Sequence, residues 1–313
     1  MAEKALQLPQ IDLSSPDRAS SARTIRQVCL DHGFFYLINH GVDGDFINKS
    51  VFGESRKFFS LPLQEKMKLA LNGGHKGYTA LYDETLDTSI KSKGDFKESF
   101  YVGPPEGSTP QNFPNQWPPK DVLPSWRATM ETYREKLQTA SQNLLSLIAL
   151  ALNLDEDFFE KVGAYPPSAT LRLIHYPGEL SASESETYGA SAHSDYGMIT
   201  LLVTDGVPGL QICREKDKRP RVWEDVPHVN GAFIVNIGDL MERWTNCLFR
   251  STLHRVMLVG QNRYSVAFFV DPKPDCVVEC LENCCSETSP PRFPPIRAGD
   301  YLHERLRVTY AKE

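Results

Sequence analysis

Hydrophobic spacing divides the chain into a helical front and a β-rich rear. In the opening stretch, Ile11 and Leu13 of LPQIDL alternate as in a short strand. Within SSARTIRQVCLDHG, Ile25, Val28 and Cys29 fall at helical spacing, and Gly33 stands where the helix would stop. GFFYLINHG carries the aromatic and β-branched residues of a buried strand. Residues 46–60 return to helical spacing ahead of Pro62. From Asn72 to Lys120, glycine and proline interrupt every period, and loops and turns are expected. Residues 125–152 read as the clearest helix: Met130, Tyr133, Leu137, Leu144, Ile148 and Leu152 share one face, with Ser125 placed as N-cap.

After residue 165 the pattern becomes β, in short runs rich in Val, Ile, Leu and Phe. ATLRLIHYP, MITLLVTD, GLQIC, GAFIVNIGD, STLHRVMLV and YSVAFFVDP are short β-type runs punctuated by Gly, Pro, Asp and Asn. Many short strands at regular spacing predict a sandwich or jelly-roll barrel. The expected fold is mainly β with flanking helices: a double-stranded β-helix (jelly-roll) core and a helical N-terminal region. Residues 1–120 and 121–313 are expected to pack as one integrated unit.

Composition narrows the partners. A net charge of −6 disfavours broad attraction to a phosphate backbone, so no nucleic-acid partner is expected. No window approaches the ~18 uninterrupted apolar residues of a membrane span, and MAEKALQLPQIDL lacks the charged and apolar blocks of a signal peptide. Seven cysteines, an odd number without a regular framework, fit reduced thiols. A cytoplasmic monomer acting on a small molecule is the expectation. The cluster CVVECLENCC contains no CxxC pair and reads as free thiols rather than zinc ligands.

Candidate chemistry begins at SAHSDYG. His193 and Asp195 are two residues apart, a spacing that brings side chains to one face on a strand but not on a helix. His254, inside STLHRVMLV, offers a third ligand. Two histidines and one carboxylate form the facial set used for non-haem Fe(II), with positions left open for other ligands, whereas zinc sites usually add a further closing ligand. In NRYSVAFF, Arg263 and Ser265 again share a face, continued by Ala267 and Phe269. An arginine facing a barrel interior needs a partner. Asp271, further along that face, is too distant on an extended strand to supply it. Two partners stay open: the carboxylate of a ligand, or an acidic residue from another strand.

Taken together, HSDYGMITLLV, GAFIVNIGD, STLHRV and NRYSVAFFVDP resemble the catalytic core of the 2-oxoglutarate and Fe(II)-dependent dioxygenases. LPQIDL, DHGFFYLINHGV and FFSLP resemble the N-terminal region of their plant-type branch, related to isopenicillin N synthase. The resemblance implies that His193, Asp195 and His254 bind iron and that Arg263 and Ser265 hold the distal carboxylate of 2-oxoglutarate. Tyr176 stands where many members have a tyrosine touching that cosubstrate. Ile174 stands where relatives often have asparagine. Asn236 and Asp239 of VNIGD recur near the core of the family and read as mainly structural.

The implied reaction consumes O2 and 2-oxoglutarate, releases succinate and CO2, and oxidises a substrate C–H bond, most simply by hydroxylation; ascorbate is the expected reductant. Tyr78, Tyr82, Phe100, Tyr196 and Phe269 are candidate contacts for a mid-sized, partly apolar substrate of hormone or specialised metabolism. Two alternatives stand beside this one. An isopenicillin N synthase-like oxidase would use no keto acid, and a non-catalytic jelly roll would only hold a ligand.

Overall fold

Gly33 ends the first helix as its position predicts. Its φ is +66°, a conformation that costs glycine little, and its N–H reaches Val28 O at 2.9 Å. This turn feeds the chain directly into a buried strand. The structure, a computed structural model, describes residues 6–87, 93–105, 113–178 and 188–310.

In chain order the elements are β1 (Gln10–Asp12), α1 (Arg18–Asp31), β2 (Phe34–Ile38), a π-helical turn (Phe46–Val51) running into α2 (Phe52–Phe59), α3 (Leu63–Met67), β3 (Gly77–Thr79) and β4 (Glu98–Val102). There follow α4 (Trp126–Ala151), α5 (Phe158–Lys161), β5 (Ser168–Tyr176), β6 (Ala190–His193), β7 (Ile199–Thr204), β8 (Leu210–Cys213), β9 (Glu224–Asp225) and β10 (Phe233–Ile237). The rear closes with α6 (Asp239–Trp244), β11 (Leu253–Val256), β12 (Arg263–Asp271), β13 (Val277–Val278), β14 (Ile296–Arg297) and α7 (Ala298–Thr309).

One sheet has eight strands in the order β1-β2-β10-β7-β12-β5-β4-β3, and a second has four in the order β6-β11-β8-β9. Together they make the jelly roll that the strand pattern predicts. The N-terminal strands β1 and β2 enter the large sheet beside β10.

Side-chain alternation sorts the large sheet into two faces. Leu171, Leu173, Val266 and Phe268 point to the helix side, where Met130, Tyr133, Leu137, Leu144 and Ile148 of α4 join them in the main core. Fully burying each of these side chains contributes roughly 1.5–3 kcal/mol. Opposite residues of the same strands, Ile174 and Tyr176 among them, meet Ala190, Leu210, Ile212 and Val256 of the small sheet. The candidate chemistry lies in this second layer.

Three features depart from the sequence reading. Ser125 precedes α4 but makes no side-chain capping bond. The Gly- and Pro-rich stretch contains β3 and β4, two strands added to the edge of β5. Strand β6 ends at His193, so Asp195 lies just past the strand rather than within it.

Candidate metal centre

His193 and His254 are directly opposed across the antiparallel β6–β11 pair. Their ring centroids are 4.2 Å apart at an interplanar angle of 53°. Each ring is fixed from behind. His193 Nδ1 lies 2.7 Å from Ser191 O and His254 Nδ1 lies 3.2 Å from Thr252 O, contacts that place the N–H on Nδ1 and leave both Nε2 atoms facing inward. Asp195 Oδ1 sits 3.8 Å from His193 Nε2 and 3.6 Å from His254 Nε2. Its other oxygen, Oδ2, accepts from Thr200 Oγ1 at 2.6 Å and Asn236 Nδ2 at 2.8 Å. The carboxylate is thereby held with one oxygen spent on the protein and the other aimed at the histidines.

Electrostatics keep this set ready for a cation. Burial, helped by the neighbouring His254, holds His193 down to about 4, so its ring is neutral at pH 7 with a lone pair to offer. Burial pushes the Asp195 carboxyl up. The His254 and His193 rings and the Thr200 and Asn236 hydrogen bonds outweigh it and hold the group below the usual carboxylate value. Among the described residues, these three are the one group of His, Cys, Asp or Glu side chains placed to hold a metal, with donor atoms all within 4.8 Å of one another. Two imidazole nitrogens and one carboxylate oxygen on one side are the donor set that suits non-haem Fe(II).

A narrow cavity of about 50 Å³ runs from the triad to Arg263. Arg263 is 2 % exposed and lies across the β5–β12 ladder from Tyr176, its guanidinium 5.0 Å from the ring centroid. Its Nε donates to Val207 O at 3.2 Å, while Nη1 is buried with no partner among the described residues. Among the described residues no carboxylate pairs with it. An orphaned guanidinium nitrogen at the end of a cavity that begins at a metal triad fits a ligand with a carboxylate at one end and metal-chelating oxygens at the other.

Comparison with known proteins decides the family. Residues 8–120 match the family described as the N-terminal region of non-haem dioxygenases in morphine synthesis. Residues 167–272 match the 2OG-Fe(II) oxygenase superfamily. The chain is 41% identical over 305 residues to kihadalactone A synthase of Citrus sinensis, covering 95% of this chain and 90% of that protein. It is 40% identical to azadirone synthase of Melia azedarach, covering 95% and 91%. A full-length Neurospora crassa protein, solved as a crystal structure in complex with alpha-KG, superimposes with a TM-score of 0.85 at 29% identity, covering 98% of each chain. The chain belongs to the 2-oxoglutarate–Fe(II) oxygenase superfamily.

In this oxygenase the remaining site candidates separate into two groups. Ser265, 2 % exposed, and Tyr176 line the narrow cavity with Arg263, and Ile174 is the cross-strand neighbour of Ser265. Tyr196 and Phe269 line a second cavity, of about 230 Å³, that also reaches His193 and Asp195, and Phe269 lines the narrow cavity too. Tyr196 is held there by a 2.6 Å hydrogen bond to Thr309 of α7. Tyr78 and Phe100 lie elsewhere. Both pack on Phe58 in the main core, and the Tyr78 hydroxyl donates to Glu98. Tyr82 takes a left-handed φ of +66° and packs on Phe96, outside both cavities.

The structure adds groups that sequence reasoning missed. Lys97 lies 2.7 Å from Glu84 and 2.6 Å from Asp95, and Arg172 lies 2.6 Å from Glu84. Arg172 also donates to Ser99 Oγ at 2.8 Å. Asp95 in turn accepts from Ser191 N at 3.0 Å, two residues before His193. This buried quartet ties Glu84, Asp95 and Lys97 to β5 and β6 beside the candidate metal ligands. One signal was available: Arg172 falls on the inward alternation of β5 with Thr170 and Ile174. The other members lie in a stretch without periodicity.

Proposed function

We propose that this oxygenase hydroxylates a C–H bond of a mid-sized, partly apolar organic molecule of hormone or specialised metabolism, using Fe(II), O2 and 2-oxoglutarate, with ascorbate as reductant. The orphaned Arg263 Nη1, in the cavity that also reaches His193, Asp195 and His254, is the observation that carries the reading. The names of the two plant relatives, synthases of kihadalactone A and of azadirone, favour a specialised-metabolite substrate.

In this reading His193 Nε2, His254 Nε2 and Asp195 Oδ1 hold Fe(II). Arg263 offers a fork and Ser265 a hydroxyl to the distal carboxylate of 2-oxoglutarate, with Tyr176 packed beneath the guanidinium. Bound there, the metal supplies the redox chemistry that couples oxidation of 2-oxoglutarate to succinate and CO2 with oxidation of the substrate by O2. The chain contributes orientation and dryness. Thr200 and Asn236 fix the carboxylate, Ser191 O and Thr252 O fix the rings, and the apolar side chains of the second layer exclude water. Residues 1–120 act with the core as one unit, supported by the insertion of β1 and β2 beside β10. All seven cysteines are free thiols, which suits the cytoplasm.

The test is succinate formation by purified protein with Fe(II), ascorbate and 2-oxoglutarate across a substrate screen, wild type beside His193→Ala and Arg263→Ala. Turnover should vanish in the first variant and need far more 2-oxoglutarate in the second. Substrate oxidation that proceeds without 2-oxoglutarate and releases no succinate would sink this reading in favour of an oxidase whose Arg263 holds a substrate carboxylate.

A further inference from the structure

One carboxyl in the larger cavity has no partner among the described residues. Asp271 ends β12 on the same face as Arg263, Ser265, Ala267 and Phe269, at the end of that row away from Arg263. Among the described residues its side chain makes no hydrogen bond and no ion pair. The two cations lining the cavity are engaged elsewhere: Arg172 pairs with Glu84, and Lys76 donates to Phe113 O. Asp271 is also closely seated. A Cβ at Gly197 would collide with its Oδ1, so the absence of a side chain two residues after Asp195 makes room for this carboxyl. Burial, with Asp195 nearby, pushes it up to about 7, the mark of an acid whose charge is not compensated.

The surroundings describe a complementary molecule. Phe269, Leu302 and Leu306 form apolar walls, and Ser168, directly across the ladder from Asp271, adds a hydroxyl at the same end. Asp271 is part-buried, facing the cavity, so a ligand that displaces water there and brings a donor gains a hydrogen bond that the protein itself does not supply. We propose that Asp271 is a specificity-determining residue that accepts a hydrogen bond from a hydroxyl or amine carried on the apolar carbon framework of the substrate. This rests on the reading of the cavity beyond the triad as the substrate pocket. Anchored at Asp271 and walled by Phe269, such a framework extends towards His193 and Asp195, which line the same cavity.

The test uses 1-adamantanol, 1-adamantylamine and the methyl ether of 1-adamantanol, which keeps the bulk and loses the donor. Each is titrated calorimetrically into the full-length protein, with and without anaerobic Fe(II) and 2-oxoglutarate. At pH 8.5, where Asp271 is ionised, wild type should bind at least one donor-bearing probe about tenfold or more tightly than the ether, a ratio set by one hydrogen bond to a charged group. Asp271→Leu should erase that preference. Asp271→Asn should keep it for the alcohol and lose it for the amine, which tells the two donors apart. No preference in wild type, absence of binding included, overturns the proposal, as does a preference that survives in Asp271→Leu. The charge-transfer absorbance of the Fe(II)–2-oxoglutarate complex, recorded on the same samples, reports the metal site separately. Its absence would count against the proposed cosubstrate while the metal-free titrations still decide the role of Asp271.

Discussion

Asn236 donates to Asp195 Oδ2 at 2.8 Å, and with Thr200 this bond determines which carboxylate oxygen faces the two histidines. Asn236 comes from β10 and Thr200 from β7, neighbours in the large sheet, and they are directly opposed in register. The orientation of one candidate metal ligand is thus built into a strand pairing.

Removing that support should weaken the metal site without touching a ligand. Asn236→Ala and Thr200→Val are expected to lower Fe(II) affinity by roughly 10–100-fold each. Metal titration followed by the rise in thermal midpoint on binding reads this directly. Unchanged affinity in both variants would show that Asp195 is oriented by something else.

Arg263 should discriminate by geometry as well as charge. Arg263→Ala is expected to weaken 2-oxoglutarate binding by about 1.5–3 kcal/mol, the range for a hydrogen bond to a charged group. Arg263→Lys keeps the charge but not the fork, so it should recover only part of the loss. Titration of the charge-transfer band under anaerobic conditions measures both. Equal affinity for wild type and Arg263→Ala refutes the assignment.

The quartet beside the site should be a point of fragility. Lys97 is buried between Glu84 and Asp95, so Lys97→Met leaves two buried carboxylates short of a cation. The expected loss is about 3–5 kcal/mol in urea unfolding. A loss below about 1 kcal/mol would mean that the pocket opens to water and the charges are solvated.

The same quartet sets an acid limit. Burial pushes Glu84 up, but Arg172 and Lys97 outweigh it and hold the carboxyl well below its usual 4.5. A carboxyl depressed on folding contributes stability that is complete above its unfolded value and is lost as pH falls towards the folded one. Unfolding free energy should therefore decline as pH drops below about 4.5, and Glu84→Gln should be less stable at pH 7 with a flatter acid limb. Parallel acid limbs for wild type and variant would exclude Glu84 as the source.

Gly33 supplies a control away from the chemistry. Its φ of +66° and the close approach of Arg250 O leave no room for a Cβ. Gly33→Ala should cost at least about 1–3 kcal/mol from backbone strain alone, read as a lowered thermal midpoint with 2-oxoglutarate binding retained. An unchanged midpoint would show that the α1–β2 corner relaxes freely.

Much of this protein is legible from residue order because its signals are local. Short runs rich in Val, Ile, Leu and Phe placed β5, β7, β8, β10, β11 and β12, and the spacing of Met130, Tyr133, Leu137, Leu144 and Ile148 placed the buried face of α4. The candidate ligands His193, Asp195 and His254, and the Arg263–Ser265 pair, were visible for the same reason: each pair sits two residues apart or on a strongly patterned strand. Tyr78 and Phe100 show the limit. Both are aromatic residues beside a loop-rich stretch, but β3 and β4 turn them towards Phe58 because pairing with β5 decides the face.

What residue order determined by itself, then, is everything that depends on neighbours along the chain: strand period, helix face, the glycine stop at Gly33, and which side chains share a strand face. Tertiary structure alone decided what meets across the fold. It set His193 opposite His254, Asn236 behind Asp195, Lys97 between Glu84 and Asp95, and Asp271 against Gly197. The physical reason is that these contacts join residues far apart in sequence through sheet register and buried charge, and neither leaves a periodic trace in the chain.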